Sequence, residues 1–311
     1  MLIILASSIY GYDPQIELLV ENLKREFVDY VLINPFKHND LRKLSIVCEK
    51  GINRIMFDGN ILNITKVYIA RHLRTDCIID FPDGCGMTTL YRHKVDAFLT
   101  EICAVLKDCK WFPGEFTNLL NGDMKCYLYQ LAHVSGLIVP EITANSFVKP
   151  DGLSYQKSLG APFTITYDNE SGDEIAVTLK NSTVIEDETD GLPWQWQTNI
   201  KSKYQIRCVV VGENIWAFSA LSENFQGRSL REYQVENDVV WKKHVIPQHI
   251  EKSTINLMKK LNLEFSCPEF LIDLKGKYHF IDLNPCGDWY GFGSKDDNVR
   301  IAKAIAVKLR G

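Results

Sequence analysis

Three features of this chain predict an α/β fold (α+β overall) whose C-terminal half is rich in strands. A short apolar strand, a capped amphipathic helix and a second strand follow one another within residues 2–33. From residue 194 onward the pattern is mostly strands joined by tight turns. The 311 residues exceed what one hydrophobic core usually holds, about 250, so two or three compact units are expected.

Composition narrows the function classes. Hydrophobic residues make up 46% of the chain and charged residues 24%, the balance of a globular protein rather than a disordered one. With 35 Lys+Arg against 39 Asp+Glu, a net charge of −4, there is no broad basic field for nucleic acid. No apolar run reaches the roughly 18 residues of a membrane helix. Met1–Ala6 is closed by Ser7 and Ser8 and lacks a basic n-region, so no secretory signal is expected. The nine cysteines are an odd count without a C-x-x-C pair, which suits reduced thiols in the cytoplasm better than disulfides or a zinc site. His244 and His249 are five apart and miss the i, i+4 spacing of a helical metal pair.

The elements follow in order. Leu2–Ala6 is a strand, and Asp13-Pro14 supplies an N-cap and a proline at the first helical position. Ile16, Leu19, Val20, Leu23 and Phe27 then recur at helical period. Val28–Ile33, Ile55–Phe57 and Val67–Ile69 read as further strands, an order that predicts a parallel sheet. The first loop, Ser7-Ser8-Ile9-Tyr10-Gly11, has no G-x-G-x-x-G, so a Rossmann dinucleotide site has no support. Residues 93–109 form the clearest helix, with Val95, Phe98, Leu99, Ile102, Cys103 and Leu106 on one face. Trp111-Phe112-Pro113-Gly114 breaks it and marks a domain boundary. Residues 122–136 form a second helix, with Lys125 in its first turn, Leu128, Leu131 and Ala132 inward, and Gly136 as the C-cap.

Strands at Phe163–Tyr167 and Ile175–Leu179 precede Lys180, the one lysine of an acidic stretch at 168–190 that reads as two solvated hairpin loops. Tyr204–Val211 and Ile215–Ala220 face each other across Gly212-Glu213-Asn214. Residues 250–261 form a helix. Phe270–Leu274 and Tyr278–Leu283 make a hairpin turning at Lys275-Gly276. Ser294 caps a last amphipathic helix, with Val299, Ala302, Ile305, Ala306 and Leu309 on its apolar face.

The second hairpin carries the chemistry. Asp282 and Asn284 are two apart and share a face of one strand. A two-residue turn at Lys275-Gly276 pairs Glu269 with Asp282, and cross-strand partners share a face. Glu269, Asp282 and Asn284 then converge, while Asp273 lies opposite Tyr278 and joins only if the register slips. Such oxygen donors suit Mg²⁺, which takes a few protein oxygens and fills its shell with phosphates and water. The alternative is a solvated polar face, against which the apolar neighbours Phe270, Ile272, Phe280, Ile281 and Leu283 weigh. Candidate phosphate-binding cations are Lys125, Lys180, Arg207 and Arg231, the second and third set in apolar strand patterns.

Two segments amount to a resemblance. One runs Lys125-Cys-Tyr-Leu-Tyr-Gln-Leu-Ala-His-Val-Ser-Gly136-Leu-Ile-Val-Pro140-Glu-Ile-Thr143, and the other Phe280-Ile-Asp282-Leu-Asn284-Pro285-Cys-Gly287-Asp288-Trp289. Between them come Lys180, a hinge-like strand at Trp196–Ile200 and Gln205-Ile-Arg207-Cys-Val-Val-Val-Gly212. The chain resembles the ATP-grasp superfamily, and within it the peptide maturases that make microviridins and other graspetides. The likeness covers roughly residues 115–292 and, more loosely, the first 115.

That resemblance implies an ATP-grasp fold with an N-terminal pre-ATP-grasp α/β domain at 1–115, a small lysine-bearing subdomain at 116–192 and a catalytic subdomain at 193–311. Lys125 and Lys180 would hold the α- and β-phosphates of ATP. Gln197, Thr198, Asn199 and Ile200 would line the adenine through backbone hydrogen bonds, with Ile200 packed on the ring. Arg207 and Arg231 would neutralise the γ-phosphate and then an acyl-phosphate, and Glu269, Asp282 and Asn284 would hold Mg²⁺. Arg71 and Arg74, in the aromatic-basic stretch from Tyr68, would contact the leader of a precursor peptide, a buried sheet edge being the plainer reading. The implied substrate is a precursor peptide, leader plus core, with neither nucleic acid nor membrane as partner and a homodimer left open.

The chain departs from the family at several positions. The acids at 269 and 282 are Glu and Asp where Asp and Glu are usual, Gln205 replaces a frequent acidic residue, and Arg231 lacks an aspartate two residues earlier. Lys157 rivals Lys180 as the strand lysine. Two alternatives stay open: a ligase that adds an amino acid to a peptide or protein terminus, and a nucleotide-binding scaffold without turnover.

Overall fold

The computed structural model describes residues 1–6, 13–35, 37–70, 88–119, 124–146, 150–153, 155–157, 163–167, 174–178, 182–183, 194–222 and 239–311. The chain begins with β1 (Leu2–Leu5), α1 (Pro14–Arg25), β2 (Tyr30–Ile33) and a one-turn α2 (His38–Leu41). The strands β3 (Leu44–Glu49), β4 (Ile52–Phe57), β5 (Asn60–Ile61) and β6 (Lys66–Ile69) come next. They are followed by α3 (Thr88–Val105), β7 (Lys110–Phe112), α4 (Phe116–Leu119) and α5 (Lys125–Val134). The middle of the chain contributes β8 (Ile142–Ser146), β9 (Tyr155–Lys157), β10 (Phe163–Tyr167), β11 (Glu174–Thr178), β12 (Ser182–Thr183) and β13 (Trp194–Gln197). The last part holds β14 (Ser202–Val211), β15 (Asn214–Leu221), β16 (Lys242–His244), α6 (Gln248–Lys260), β17 (Phe265–Asp273), β18 (Tyr278–Asn284) and α7 (Lys295–Arg310).

The N-terminal sheet is parallel, ordered β2-β1-β6-β7. Asp13 caps α1 as the sequence predicts, its carboxylate accepting from the Gln15 amide at 3.1 Å, with Pro14 behind it. Ile16, Leu19 and Leu23 are buried, but Phe27 lies beyond the helix in a left-handed conformation (φ 55°) and is 95% exposed. The α1 terminus therefore closes two residues earlier than the apolar spacing suggests. Two other expectations change. Ile55–Phe57 belongs to a separate antiparallel sheet, β3-β4-β5. The signals for it are Lys50-Gly51 and Asp58-Gly59, all at positive φ, which close two-residue hairpins. Trp111-Phe112 follows the end of α3 at Val105, and Lys110–Phe112 is itself an element, pairing with β6 as the fourth parallel strand.

The five-stranded sheet β16-β15-β14-β17-β18 is the centre of the molecule and is apolar on both faces. Ile206, Cys208, Val210, Phe270, Phe280 and Leu283 pack with Leu128, Tyr129 and Ala132 of α5 and Ile250, Leu257 and Met258 of α6. On the opposite face Val209, Val211, Phe218, Phe265 and Cys267 meet Ile301, Ala302, Ile305, Ala306 and Leu309 of α7 and Ile16, Leu19 and Leu23 of α1. A smaller sheet, β12-β9-β13-β8, adjoins it. Its strand β13 lies beyond residue 192 yet pairs with β8 and β9, so the chain crosses between the two sheets at 198–201.

Polar contacts tie the first strands to the last helix. Lys66 Nζ donates to the carbonyls of Leu309 (2.9 Å) and Arg310 (2.7 Å), a cation on the free carbonyls of a helix C-terminus. Arg310 pairs with Glu26 at 2.6 Å. The Glu264 amide donates to the Pro113 carbonyl at 2.6 Å, and a Cβ on Gly114 would lie 2.7 Å from the Asn262 carbonyl oxygen and 2.8 Å from a Leu263 methyl. Gly114→Ala should therefore destabilise the protein by about 1–3 kcal/mol, as overpacking does. Thermal unfolding checks this, and an unchanged Tm would mean that the 113–114 segment gives way freely.

Candidate functional site

The β17–β18 hairpin places the acids, by a route other than the two-residue turn expected for it. The loop has three residues, Leu274 to Gly276, with Gly276 at φ +81°. Asp273 pairs with Lys277 across the loop, while Ile272 is the partner of Tyr278. That loop shifts the register by one, and a bulge between Phe280 and Asp282 shifts it back. Glu269 thus faces Asp282 as predicted, and Cys267 faces Asn284. The extra residue is Ile281, whose carbonyl accepts the Tyr129 hydroxyl at 2.9 Å. Asp273 does not join the cluster. Its carboxylate caps the loop, accepting from the amides of Lys275 (2.8 Å) and Lys277 (2.9 Å) and lying 3.0 Å from His279 Nε2.

Each acid of the cluster contacts a cation. Lys125, the first residue of α5, forms an ion pair with Asp282 Oδ1, which also accepts from the Leu283 amide at 2.7 Å. Arg207 stands opposite Glu269 on β14, with Nη1 at 3.5 Å from Oε1. Gln205, two residues back on the same strand face, donates to the other oxygen, Oε2, at 3.1 Å. Asn284 Oδ1 accepts from the Cys286 amide at 2.9 Å. Gly287 sits beneath it, where a Cβ would come within 2.7 Å of Cys267 Cβ and 3.2 Å of Asn284 Cβ, so only glycine lets the Pro285–Gly287 turn lie this close.

Tyr129 links three elements. Its hydroxyl lies 2.9 Å from the Ile281 carbonyl and 3.3 Å from Gln197 Oε1, joining α5, β18 and β13. Burial first, and then the Asp282 charge, push its pKa well up, so the phenol stays a donor. Gln197 is buried at the end of β13, and the Thr198 amide donates to the Glu141 carbonyl at 3.0 Å. That amide is engaged and is not a free donor for an adenine. Asn199 is exposed and Ile200 half-buried in the link to β14.

The structure therefore brings together Lys125, Gln197, Arg207, Glu269 and Asp282, with Asn284 one pleat further along. Arg71, Arg74, Lys180 and Arg231 lie outside the described residues, as does most of the acidic stretch at 168–190. The backbone of Lys157 is described, in β9. Sequence reasoning missed Tyr129, although i+4 from Lys125 on a helix was an available signal, and it named Gln205 without its contact to Glu269, although i−2 from Arg207 on a strand pointed there.

The donor set fits a hard cation and an anion. Two carboxylates and one amide oxygen stand on a strand pair, and among the described residues no group of three His, Cys, Asp or Glu side chains gathers as for a softer metal. Arg207 Nε is buried without a hydrogen-bond partner, which leaves part of that cation's donor capacity unused.

No family model matches the sequence, and no curated protein matches it. Solved structures do match. The chain is similar to a RiPP-associated ATP-grasp ligase of Chryseobacterium gregarium, in complex with ADP and a leader and core peptide: TM-score 0.77 at 18% identity, over 99% of this chain and 96% of that one. It is similar to the macrocyclase MdnC of Microcystis aeruginosa, bound with the precursor peptide MdnA: TM-score 0.75 at 17% identity, over 99% and 100%. The VanG D-Ala:D-Ser ligase of Enterococcus faecalis aligns at TM-score 0.57 and 11% identity, over 100% and 98%. The fold is therefore the ATP-grasp fold along the whole chain, as the sequence resemblance implies.

The hairpin cap makes a pH prediction. The His279 hydrogen bond, helped by the amides of Lys277 and Lys275, lowers the Asp273 pKa from 3.8 to about 2. A carboxylate held below its unfolded value adds stability above that value, and the contribution disappears as pH falls through the folded one. Stability supplied by Asp273 should thus be complete above about pH 4 and fade toward pH 2. Denaturant titrations of the wild type and Asp273→Asn at several acidic pH values should converge toward pH 2. A constant gap between them would show that the cap does not titrate in this range.

Proposed function

We propose that this chain is an ADP-forming ATP-grasp ligase that activates a carboxylate of a peptide and joins it to an amine or hydroxyl. The internal form of that reaction, a side-chain macrolactam or macrolactone in a ribosomal precursor peptide, fits best. The observation that carries the reading is the paired cluster on β14, β17 and β18, where Arg207 meets Glu269 inside an ATP-grasp sheet and Lys125 meets Asp282 on its edge strand. Fold neighbours in complex with ADP and with leader and core peptides support it.

The roles follow from charge and position. Lys125 and Lys180 bind the α- and β-phosphates, while Gln197, Thr198, Asn199 and Ile200 border the adenine. The engaged Thr198 amide leaves its reading to other groups of that segment. Glu269, Asp282 and Asn284 hold Mg²⁺, which when bound screens the charge of the phosphates. Lys125 leaves Asp282 for a phosphate oxygen, and Arg207 turns its unused donors to the γ-phosphate. The substrate carboxylate attacks that phosphate, giving an acyl-phosphate and ADP. The acceptor then attacks the acyl carbon and phosphate departs with the C–O electron pair. Arg207 and Arg231 stabilise the charge that develops, so the protein works by placement and charge rather than covalent chemistry. Gln205 holds Glu269 without adding a further charge.

On this reading the three units are 1–115, 116–192 and 193–311, Arg71 and Arg74 contact the leader, and the enzyme works in the cytoplasm, with homodimerisation left open. Among the described residues no helix is long and apolar enough to cross a membrane. The second reading, addition of an amino acid to a terminus, draws on the likeness to a D-Ala:D-Ser ligase.

Mass spectrometry separates the two. Incubation with ATP, Mg²⁺ and the peptide encoded beside this gene should remove one water from the peptide, whereas a gain of an amino-acid residue would favour the second reading. Absence of both, together with no phosphate release, would sink the ligase assignment. Asp282→Ala and Asn284→Ala should each lower turnover by about 100-fold or more while the fold survives, as judged by circular dichroism. Near-normal ATP hydrolysis in either variant would remove the metal assignment. Arg207→Ala should cut kcat by a similar factor with a smaller change in ATP affinity, and an unchanged kcat would return Arg207 to a structural ion pair.

A further inference from the structure

The guanidinium of Arg207 has a second neighbour that neither the sequence nor the proposed mechanism names. Its carbon lies 4.6 Å from the centroid of the Phe292 ring, a cation–π distance. Glu269 meets only one edge of the fork, at 3.5 Å, and Nε is buried without a hydrogen-bond partner. Hydrogen bonds alone therefore leave the plane of this cation poorly fixed. The ring supplies the missing constraint.

Phe292 is itself firmly seated. The Trp241 ring packs edge-on against it at 5.2 Å and an interplanar angle of 88°. Phe218, the cross-strand neighbour of Arg207, has its ring centroid 6.4 Å away. The loop carrying Phe292 lies tight against the sheet, because a Cβ on Gly293 would stand 2.5 Å from the Phe218 ring and 2.9 Å from Asp297 Cβ. The capping box of α7 pins the end of the loop. Ser294 Oγ accepts from the Asp297 amide at 3.1 Å, and Asp297 Oδ2 accepts from the Ser294 amide at 3.1 Å. The Gly291 amide donates to Asn298 Oδ1 at 3.4 Å. Helix α7 thereby fixes a loop, the loop fixes a ring, and the ring fixes the guanidinium.

We propose that Phe292 is a positioning residue for Arg207, holding its plane so that the donors left free by Glu269 meet the terminal phosphate of a bound nucleotide triphosphate. The proposal rests on the reading of Arg207 as the γ-phosphate cation. A ring that orients this one cation should affect ligands that carry a γ-phosphate and spare those that lack it.

Calorimetric titration of the full chain with Mg²⁺ and either ADP or the non-hydrolysable analogue AMPPNP tests this. The wild type should bind AMPPNP more tightly than ADP, and Arg207→Ala should erase that preference. Phe292→Leu, which keeps apolar bulk without the ring, should reduce the preference by about tenfold or to parity, with ADP affinity within about twofold. Phe292→Tyr keeps the ring face and should restore the preference. If Phe292→Leu preserves the preference, weakens both nucleotides equally, or is not rescued by the tyrosine, Phe292 is packing and the proposal falls. Should Phe292→Leu not fold, Phe292→Met is judged by the same ratio. A wild type that binds neither nucleotide overturns the ligase reading and this inference together. A wild type with a preference that Arg207→Ala leaves untouched overturns the Arg207 assignment and this inference, but not nucleotide binding.

Discussion

The bulge at Ile281 is the constraint on which the site depends. A side chain in a strand takes one face or the other, and a slip of one residue reverses every choice. The three-residue loop at Leu274–Gly276 would by itself set Glu269 against Ile281 and turn Asp282 to the opposite face. One inserted residue restores Glu269 to Asp282, while Phe280 and Leu283 stay on the face that meets α5 and α6. Tyr129 holds the bulge by taking the Ile281 carbonyl, and it belongs to the same helix that carries Lys125. The lysine and the acid it meets are therefore positioned by one contact between α5 and β18.

The cluster also illustrates how charges survive near a core. Glu269 and Arg207 have side chains 18% and 13% exposed, too little for water alone to solvate them. Each stands beside an opposite charge, and Gln205 satisfies the second oxygen of Glu269. Arg207 is then left with a buried Nε and a ring face as its remaining neighbours. Such a cation is held in place without being saturated, as the γ-phosphate role proposed for Arg207 requires. Lys125 and Asp282 are the more open pair, at 17% and 38%, and can part with less desolvation.

Much of the fold was legible along the chain because it rests on local rules. The Asp13-Pro14 cap, the Ser294 capping box, Gly136 at φ +93° after α5 and the β14–β15 hairpin at Gly212 each need only a few neighbouring residues. The misreadings have equally local causes. Apolar spacing continues through Phe27 although the helix has ended, and Asp58-Gly59, a hairpin signal, divides strands whose order alone suggests one parallel sheet. Trp111–Gly114 reads along the chain only as a helix break because proline and glycine punctuate it; the close approach of Pro113 and Gly114 to residues 262–264 is a tertiary fact.

For the site, the sequence by itself determined the residue types and the pairing of Glu269 with Asp282, because strand alternation and hairpin symmetry are properties of neighbours in the chain. It reached that pair through a turn that does not exist, and the loop and the bulge cancelled. Only the tertiary structure decided which cation meets which acid, that Asp273 caps a loop instead of joining the cluster, and that Tyr129, Gln205 and Phe292 are the neighbours of its members. Those contacts join residues up to 157 positions apart. No periodicity encodes such distances, and they are set by how two packed faces of one sheet close on helices from opposite ends of the chain.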